Sequence, residues 1–274
     1  EVRMRSAASI AEAVRGASLV AFAVPATALR DVARAAGDVA DGAQIALHAC
    51  RGVDGEFALP HQIIRAETCL KKIGALGGPL YLDDAERGRP LVAVVASRFD
   101  EVHRSLRSLI AETHVRLHTT HDVVGVEVAG ALSNVAHIAA GIAEGLGLGE
   151  TDQGILVTRG LIEATRIGCA LGAERSTFQG LAGVGDLIPR PVTSTRRHRA
   201  LGIEIGEGRN AASATSTERD LEGLHTVRAA RALGERLELS LPLVSAVDDV
   251  LYAGVSPSQA LERVLSLDLD LEGA

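Results

Sequence analysis

The sequence predicts an α/β domain on a parallel sheet over residues 1–121, followed by an all-α domain over residues 122–274. Three observations predict this. As far as about residue 121, short apolar runs alternate with stretches of helical periodicity, the signature of βαβ units whose strands are buried on both faces. From Val123 onward no convincing strand occurs, and apolar residues recur at helical spacing instead. Glycines (Gly145, Gly147, Gly149, Gly172, Gly183 and Gly185) close the segments of that second half.

Taken in order, Ser18-Leu-Val-Ala-Phe-Ala-Val-Pro25 is an apolar run ended by Pro, and the helical set Leu29, Val32, Ala33 and Ala36 follows it. Ala43-Gln-Ile-Ala-Leu-His-Ala-Cys50 is a second run, closed by Arg51-Gly52. A helical stretch from Phe57 to Ala66 leads to Gly74-Ala-Leu-Gly-Gly-Pro79. Leu91-Val-Ala-Val-Val-Ala96, a helix near Asp100–Ile110 and Val115-Arg-Leu-His-Thr119 complete the α/β half. In the second half Val128, Leu132, Val135 and Ala139 keep helical spacing, as do Leu156, Gly160, Ile162 and Ile167, then Val227, Ala230 and Leu233. Gly206 to Ser216 is small and polar, and reads as the best candidate for a mobile loop.

Composition narrows the function classes. Hydrophobic residues make up 47% and charged residues 23%, which favours a folded globular chain over disorder. Aromatics are 2% and Trp is absent, so Ala, Val, Leu and Ile must build the core. A formal charge of −7 argues against a general nucleic-acid or anionic-membrane surface, so any anion site must be local. Three cysteines without CxxC spacing suit a reducing, cytoplasmic setting rather than a disulfide framework. No run of about 18 uninterrupted apolar residues predicts a membrane span. The chain opens on Glu1-Val-Arg-Met4, with no apolar core of a signal peptide and no initiator Met, which suggests a start further upstream. The Ala- and Leu-rich helical half has the composition to bury a homodimer face.

Six segments can carry chemistry. Val24-Pro25 ends a buried strand, where open α/β sheets bind ligands, although a plain strand stop looks the same. Arg51 puts a cation at the next strand's carboxyl end, suited to phosphate or carboxylate unless it only packs on the surface. Gly77-Gly78-Pro79 allows close backbone approach to a ligand, or a tight turn before the acidic loop from Asp83. In the small-residue helix after Asp122, Ser133 and His137 share a face; a lone His there is more often a satisfied core residue than a functional one. Asp186, in Gly183-Val-Gly-Asp, can orient a hydroxyl or a base, or cap a helix. Thr193-Ser-Thr-Arg-Arg-His-Arg199 is the densest basic cluster, fit for bidentate phosphate binding or for a solvated face.

Together these segments resemble the NAD(P)-dependent glycerol-3-phosphate dehydrogenase family. The likeness is carried by an ordered series that spans nearly the whole chain: Ala23-Val-Pro-Ala-Thr-Ala-Leu-Arg30, Arg51-Gly52, Gly78-Pro79, Asp122-Val-Val-Gly-Val-Glu-Val-Ala-Gly-Ala-Leu-Ser-Asn134, Thr158-Arg-Gly-Leu-Ile-Glu163, Thr177-Phe-Gln-Gly-Leu-Ala-Gly-Val-Gly-Asp-Leu187 and Leu221-Glu-Gly223. The resemblance implies a Rossmann domain paired with a helical substrate domain, NAD or NADP as cofactor, and hydride transfer to the central carbon of dihydroxyacetone phosphate or a related phosphorylated or acidic ketone. It implies Asn134 and Asp186 at the reacting centre, Arg197 on a phosphate of substrate or cofactor, Glu222 against the cofactor, and the backbone near Pro25 along its nicotinamide half.

Four departures from the family pattern stand out. No Gly-rich dinucleotide fingerprint precedes the strand at Leu19, so the Rossmann half is expected to be incomplete as it stands. Ser133 replaces the lysine that serves as proton donor and acceptor, which makes His137, one turn on, the nearest acid/base candidate. Arg51 replaces the lysine of Lys-Gly; it can bind substrate but cannot shuttle a proton. Arg196-Arg197-His198 replaces Ser-Arg-Asn, and Leu80-Tyr81-Leu82 replaces smaller or hydroxylated residues. Arg51, Gly78, Ser133 and Arg197 are therefore the expected substrate contacts, with no metal. The alternative is a non-catalytic paralogue that keeps the scaffold for binding or assembly.

Overall fold

The computed structural model describes residues 5–80, 86–188, 196–218 and 220–268, Arg196 by its backbone alone. Tyr81 to Asp84 and Thr193 to Thr195 lie outside the described residues. After the short helix α1 (Ile10–Val14), strand β1 (Leu19–Phe22) leads through α2 (Ala26–Gly37) to β2 (Ile45–His48), and α3 (Pro60–Glu67) leads to β3 (Lys72–Gly77). Then follow β4 (Leu91–Ala96), α4 (Asp100–Ile110) and β5 (Val115–Thr120). The sheet has the order β1-β2-β3-β4-β5. Its first three strands are parallel to one another and its last two are parallel to each other, in a parallel-dominated Rossmann-like arrangement.

One junction corrects the expectation of a wholly parallel sheet: β3 and β4 are antiparallel, Ala75 opposite Ala96 and Gly77 opposite Val94. Residues 78–90 join these two strands, and β4 runs back along its neighbour as an antiparallel partner. The carboxyl ends of β1 and β2 consequently lie at one edge of the sheet, and those of β4 and β5 at the other.

The remaining elements are helices: α5 (Val123–Gly145), α6 (Glu150–Ala170), α7 (Arg175–Gln179), α8 (Val184–Leu187), α9 (Arg196–Gly206), α10 (Ala211–Thr217), α11 (Glu222–Arg236), α12 (Pro242–Tyr252) and α13 (Pro257–Leu265). Asp122 starts α5: its carboxylate accepts from Gly125 N at 2.8 Å, and also from Glu174 N at 2.9 Å and Thr177 Oγ1 at 2.6 Å, so one side chain caps this helix and anchors the approach to α7. By length and composition α5 would suffice to cross a membrane, but 94% of its apolar window is buried in this fold, where it is the central core helix.

Alpha-helix α9 crosses α5 at very short range. A Cβ at Gly141 would lie 2.2 Å from Arg199 O, and one at Gly145 2.2 Å from Ile203 O; reciprocally, Gly202 would strike Ile138 O at 2.3 Å and Gly206 would strike Ile142 O at 2.5 Å. Two small-residue stripes at spacing four thus let the backbones touch. The segment expected to be a mobile loop is also corrected. Its centre is α10, capped by Asn210, whose side chain accepts from Ser213 N at 3.0 Å, and pinned by the fully buried Ala214.

Candidate functional site

The chain leaves β1 through Ala23-Val-Pro25 and enters α2; it leaves β2 through Ala49-Cys-Arg51-Gly52. Both turns are gathered by one acid, the first residue of α11. Glu222 Oε1 accepts from Ala26 N at 2.9 Å, and its two oxygens accept from Arg51 N at 3.3 and 3.2 Å. Gly52 makes room for this approach, since a Cβ there would lie 2.8 Å from Glu222 Cβ. Burial pushes the Glu222 carboxyl up, against the pull of its two main-chain donors and of the Arg51 charge. Burial, with Glu222 nearby, also drives the Cys50 thiol up to about 12, which keeps it protonated and inert.

Arg51 reaches inward from the same turn. Its Nη2 donates to Ser133 Oγ at 2.9 Å and is ion-paired with the Asp186 carboxylate; its Nη1 donates to Gly78 O at 3.5 Å. Ser133 in turn donates to Gly130 O at 2.9 Å, and Asn134 Nδ2 donates to the Arg51 carbonyl at 2.7 Å. Asp186 sits in α8, 1% exposed, with Oδ1 unpaired among the described residues. Five of the residues expected from sequence (Arg51, Gly78, Ser133, Asn134 and Asp186) therefore form one connected group.

A cavity of about 400 Å³ opens over this group. Pro25, Arg51, Asn134, Arg197 and Glu222 line it together with His198 and Asp220. Ser133, His137 and Asp186 lie beneath the lining. His137, 4% exposed, has an unpaired Nδ1 among the described residues, and burial outweighs the neighbouring Asp186 to push its pKa down to about 4. His198, in sequence only a departure from the family pattern, is a wall of the cavity. Its Nε2 accepts from Gly223 N at 3.1 Å, and a Cβ at Gly223 would lie 2.7 Å from its ring. Burial, with repulsion from His137 and Arg51, lowers His198 to about 3, so the ring is neutral and carries its proton on Nδ1. The signal for His198 was its position beside Arg197 in α9; the close crossing with α5 is what turns it inward.

The basic run is largely spent within the molecule. Arg197 pairs with Glu218 at 2.8 Å, and Arg199 pairs with Glu144 at 2.7 Å and donates to Gln153 at 3.3 Å. Behind the cavity lies a second network that sequence reasoning missed. Glu127 of α5 meets His48 at 2.7 Å and His61 at 2.5 Å, and accepts from His61 N at 2.8 Å. Burial alone would raise the Glu127 carboxyl; the two imidazoles overcome it and hold the acid below its ordinary range. A polar residue inside an apolar helical pattern was the only clue.

Comparison with known proteins agrees with this architecture. The family model described as "NAD-dependent glycerol-3-phosphate dehydrogenase N-terminus" matches residues 2–115, and the one described as "NAD-dependent glycerol-3-phosphate dehydrogenase C-terminus" matches residues 122–262. The chain is 36% identical over 259 residues to the glycerol-3-phosphate dehydrogenase [NAD(P)+] of Halothermothrix orenii, covering 93% of this chain and 76% of that one. It is 36% identical over 269 residues to that of Methylibium petroleiphilum, covering 97% and 80%. The crystal structure of the Coxiella burnetii glycerol-3-phosphate dehydrogenase superposes with a TM-score of 0.85 at 27% identity, covering 92% of this chain and 78% of that one. With both halves matched in order over nearly its whole length, the chain belongs to the NAD-dependent glycerol-3-phosphate dehydrogenase family.

Proposed function

We infer that this protein is an NAD(P)-dependent oxidoreductase acting on a CH–OH group, passing hydride between a nicotinamide and the central carbon of dihydroxyacetone phosphate or sn-glycerol 3-phosphate. The observation that carries this reading is the convergence of Arg51, Asn134, Arg197 and Glu222 on one cavity at the carboxyl ends of β1 and β2. The cavity suits a nicotinamide: Ala23, Val24, Pro25 and Ala49 give it a small apolar wall, and its volume lies in the range of small-ligand sites. When bound, the nicotinamide supplies or accepts the hydride.

The chain's own residues would bind and polarise the substrate. Arg51, fixed by Asp186 and Ser133, holds a permanent positive charge where the substrate oxygen becomes an alkoxide. Asn134, held by the Arg51 carbonyl, orients that oxygen, and Arg197, released from Glu218, takes the phosphate. Arginine keeps its proton at neutral pH, so the alkoxide takes its proton from water rather than from a lysine. The three thiols Cys50, Cys69 and Cys169 are free, in keeping with a reducing cytoplasmic location.

The test is NADH and NADPH oxidation with dihydroxyacetone phosphate, in parent, Arg51→Met and Arg51→Lys/Ser133→Lys proteins. Parent turnover that Arg51→Met lowers by about 100-fold or more supports the assignment. Tight cofactor binding with no turnover in the parent favours the second reading, a non-catalytic paralogue. The specific observation behind that second reading is that the Arg51 guanidinium is already engaged by Asp186, Ser133 and Gly78.

A further inference from the structure

We propose that Asp100, His103 and His121 form a zinc site at the opposite edge of the sheet from the substrate cavity. Asp100 and His103 are three residues apart in α4, a spacing that puts them on one helical face, and His121 follows the last residue of β5. The three donor atoms lie within 4.8 Å of one another. Asp100 Oδ1 is 3.5 Å from His121 Nε2 and 3.9 Å from His103 Nδ1. Those separations exceed an ordinary hydrogen bond, yet they lie close to the roughly 3.4 Å between ligands set about 2.1 Å from a tetrahedral ion.

The His121 imidazole is oriented as a metal ligand is. His121 Nδ1 lies 2.9 Å from the Ser97 carbonyl, which can only accept, so Nδ1 carries a proton and Nε2 is the nitrogen that faces Asp100. Ser97 is itself fixed, its Oγ donating to Ile73 O at 2.8 Å. The His103 side chain is 10% exposed, and its Nε2 is buried without a hydrogen-bond partner among the described residues. The two rings are 5.2 Å apart at their centroids, tilted by 48° rather than stacked.

The depression around these groups measures about 280 Å³ and is also lined by Arg104, Arg107, Thr119 and Thr120. Arg107 is turned aside by its hydrogen bond to Thr119 Oγ1 at 2.8 Å. Two imidazoles and one carboxylate, with arginines close by, select a nitrogen-seeking late transition ion over calcium or magnesium. Three protein ligands leave a fourth position for water. The ion would tie α4 to the end of β5, one residue before Asp122, where the sheet gives way to α5.

The test is calorimetric titration of Zn²⁺ into the untagged, metal-free protein, with Co²⁺ absorption as the reporter of tetrahedral geometry. Asp100 and the His121 side chain are largely exposed, so Asp100→Asn and His121→Ala should leave the fold and the metal-free Tm unchanged. The proposal expects one equivalent bound, weakened about tenfold or more in each variant and unchanged in His114→Ala and Cys69→Ser. It also expects Zn²⁺ to raise the Tm of the parent but not of His121→Ala. No saturable binding in the parent, binding in both ligand variants as tight as in the parent, or binding that disappears with Cys69→Ser would overturn it. None of these readouts depends on turnover, so the site stands or falls separately from the dehydrogenase reading.

Discussion

The lining of the cavity and the layer beneath it are held in place by opposite means. On the wall of β1 and β2, Glu222 is fixed by main-chain N–H groups of Ala26 and Arg51, and almost any side chains at those positions would leave the donors where they are. Beneath the lining, Asp186 and Ser133 are fixed by a side chain, the guanidinium of Arg51. A wall tied by backbone tolerates substitution, whereas a layer tied by side chains changes as a set.

The contrast is broken most sharply at Arg51. Arg51→Met leaves the Asp186 carboxylate buried without its cation, at a cost of about 3 kcal/mol in urea-denaturation stability. Asp186→Asn in the same chain should return at least about 1 kcal/mol of that loss. If the two effects simply add, the layer beneath the lining does not depend on the pair.

A second effect comes from the buried His137 beneath the cavity. The His137 pKa is pushed down to about 4 in the folded protein, against about 6.5 when unfolded. The unfolded chain therefore binds the extra proton first, and the contribution of His137 to stability is full above pH 6.5 and is lost as pH falls toward 4. Between pH 7 and pH 5 this amounts to about 2 kcal/mol, which the parent should lose and His137→Gln should not. The difference between the two proteins separates His137 from Glu163, whose carboxyl burial pushes up to about 7 and which loses its contribution as pH rises. Equal slopes in both proteins would mean that the ring is not neutral in the fold.

The smallest expected effect is on the wall of β1 and β2. Glu222→Gln keeps an acceptor for the two backbone donors, so stability should fall by about 1 kcal/mol or less, while NADH affinity weakens by roughly tenfold as the two turns loosen. A loss of several kcal/mol would show that this wall too depends on a side-chain charge.

The alternation of strands and helices was legible because periodicity is a local property, and so was the change of pattern near Asp122. The order of motif segments pointed to Arg51, Asn134 and Glu222, which the fold brings to one cavity. Other features were not legible, each for a tertiary reason. Nothing within Leu91–Ala96 distinguishes a strand that runs forward from one that folds back. The helix over Ala211–Thr217 is set by a cap at Asn210 and by the burial of Ala214, neither of which composition reveals. The inward turn of His198 and the joining of His48 and His61 through Glu127 depend on distant segments meeting.

The glycine crossing of α5 and α9 has one further consequence. Asn134 stands on one of these helices and His198 on the other, and the distance between the helices is set by backbone touching backbone. Residues facing the cavity can therefore be exchanged without shifting the rails that carry them. Such a frame lets a lineage try new chemistry one side chain at a time, with Gly141, Gly145, Gly202 and Gly206 as the positions at which experiment has the least room.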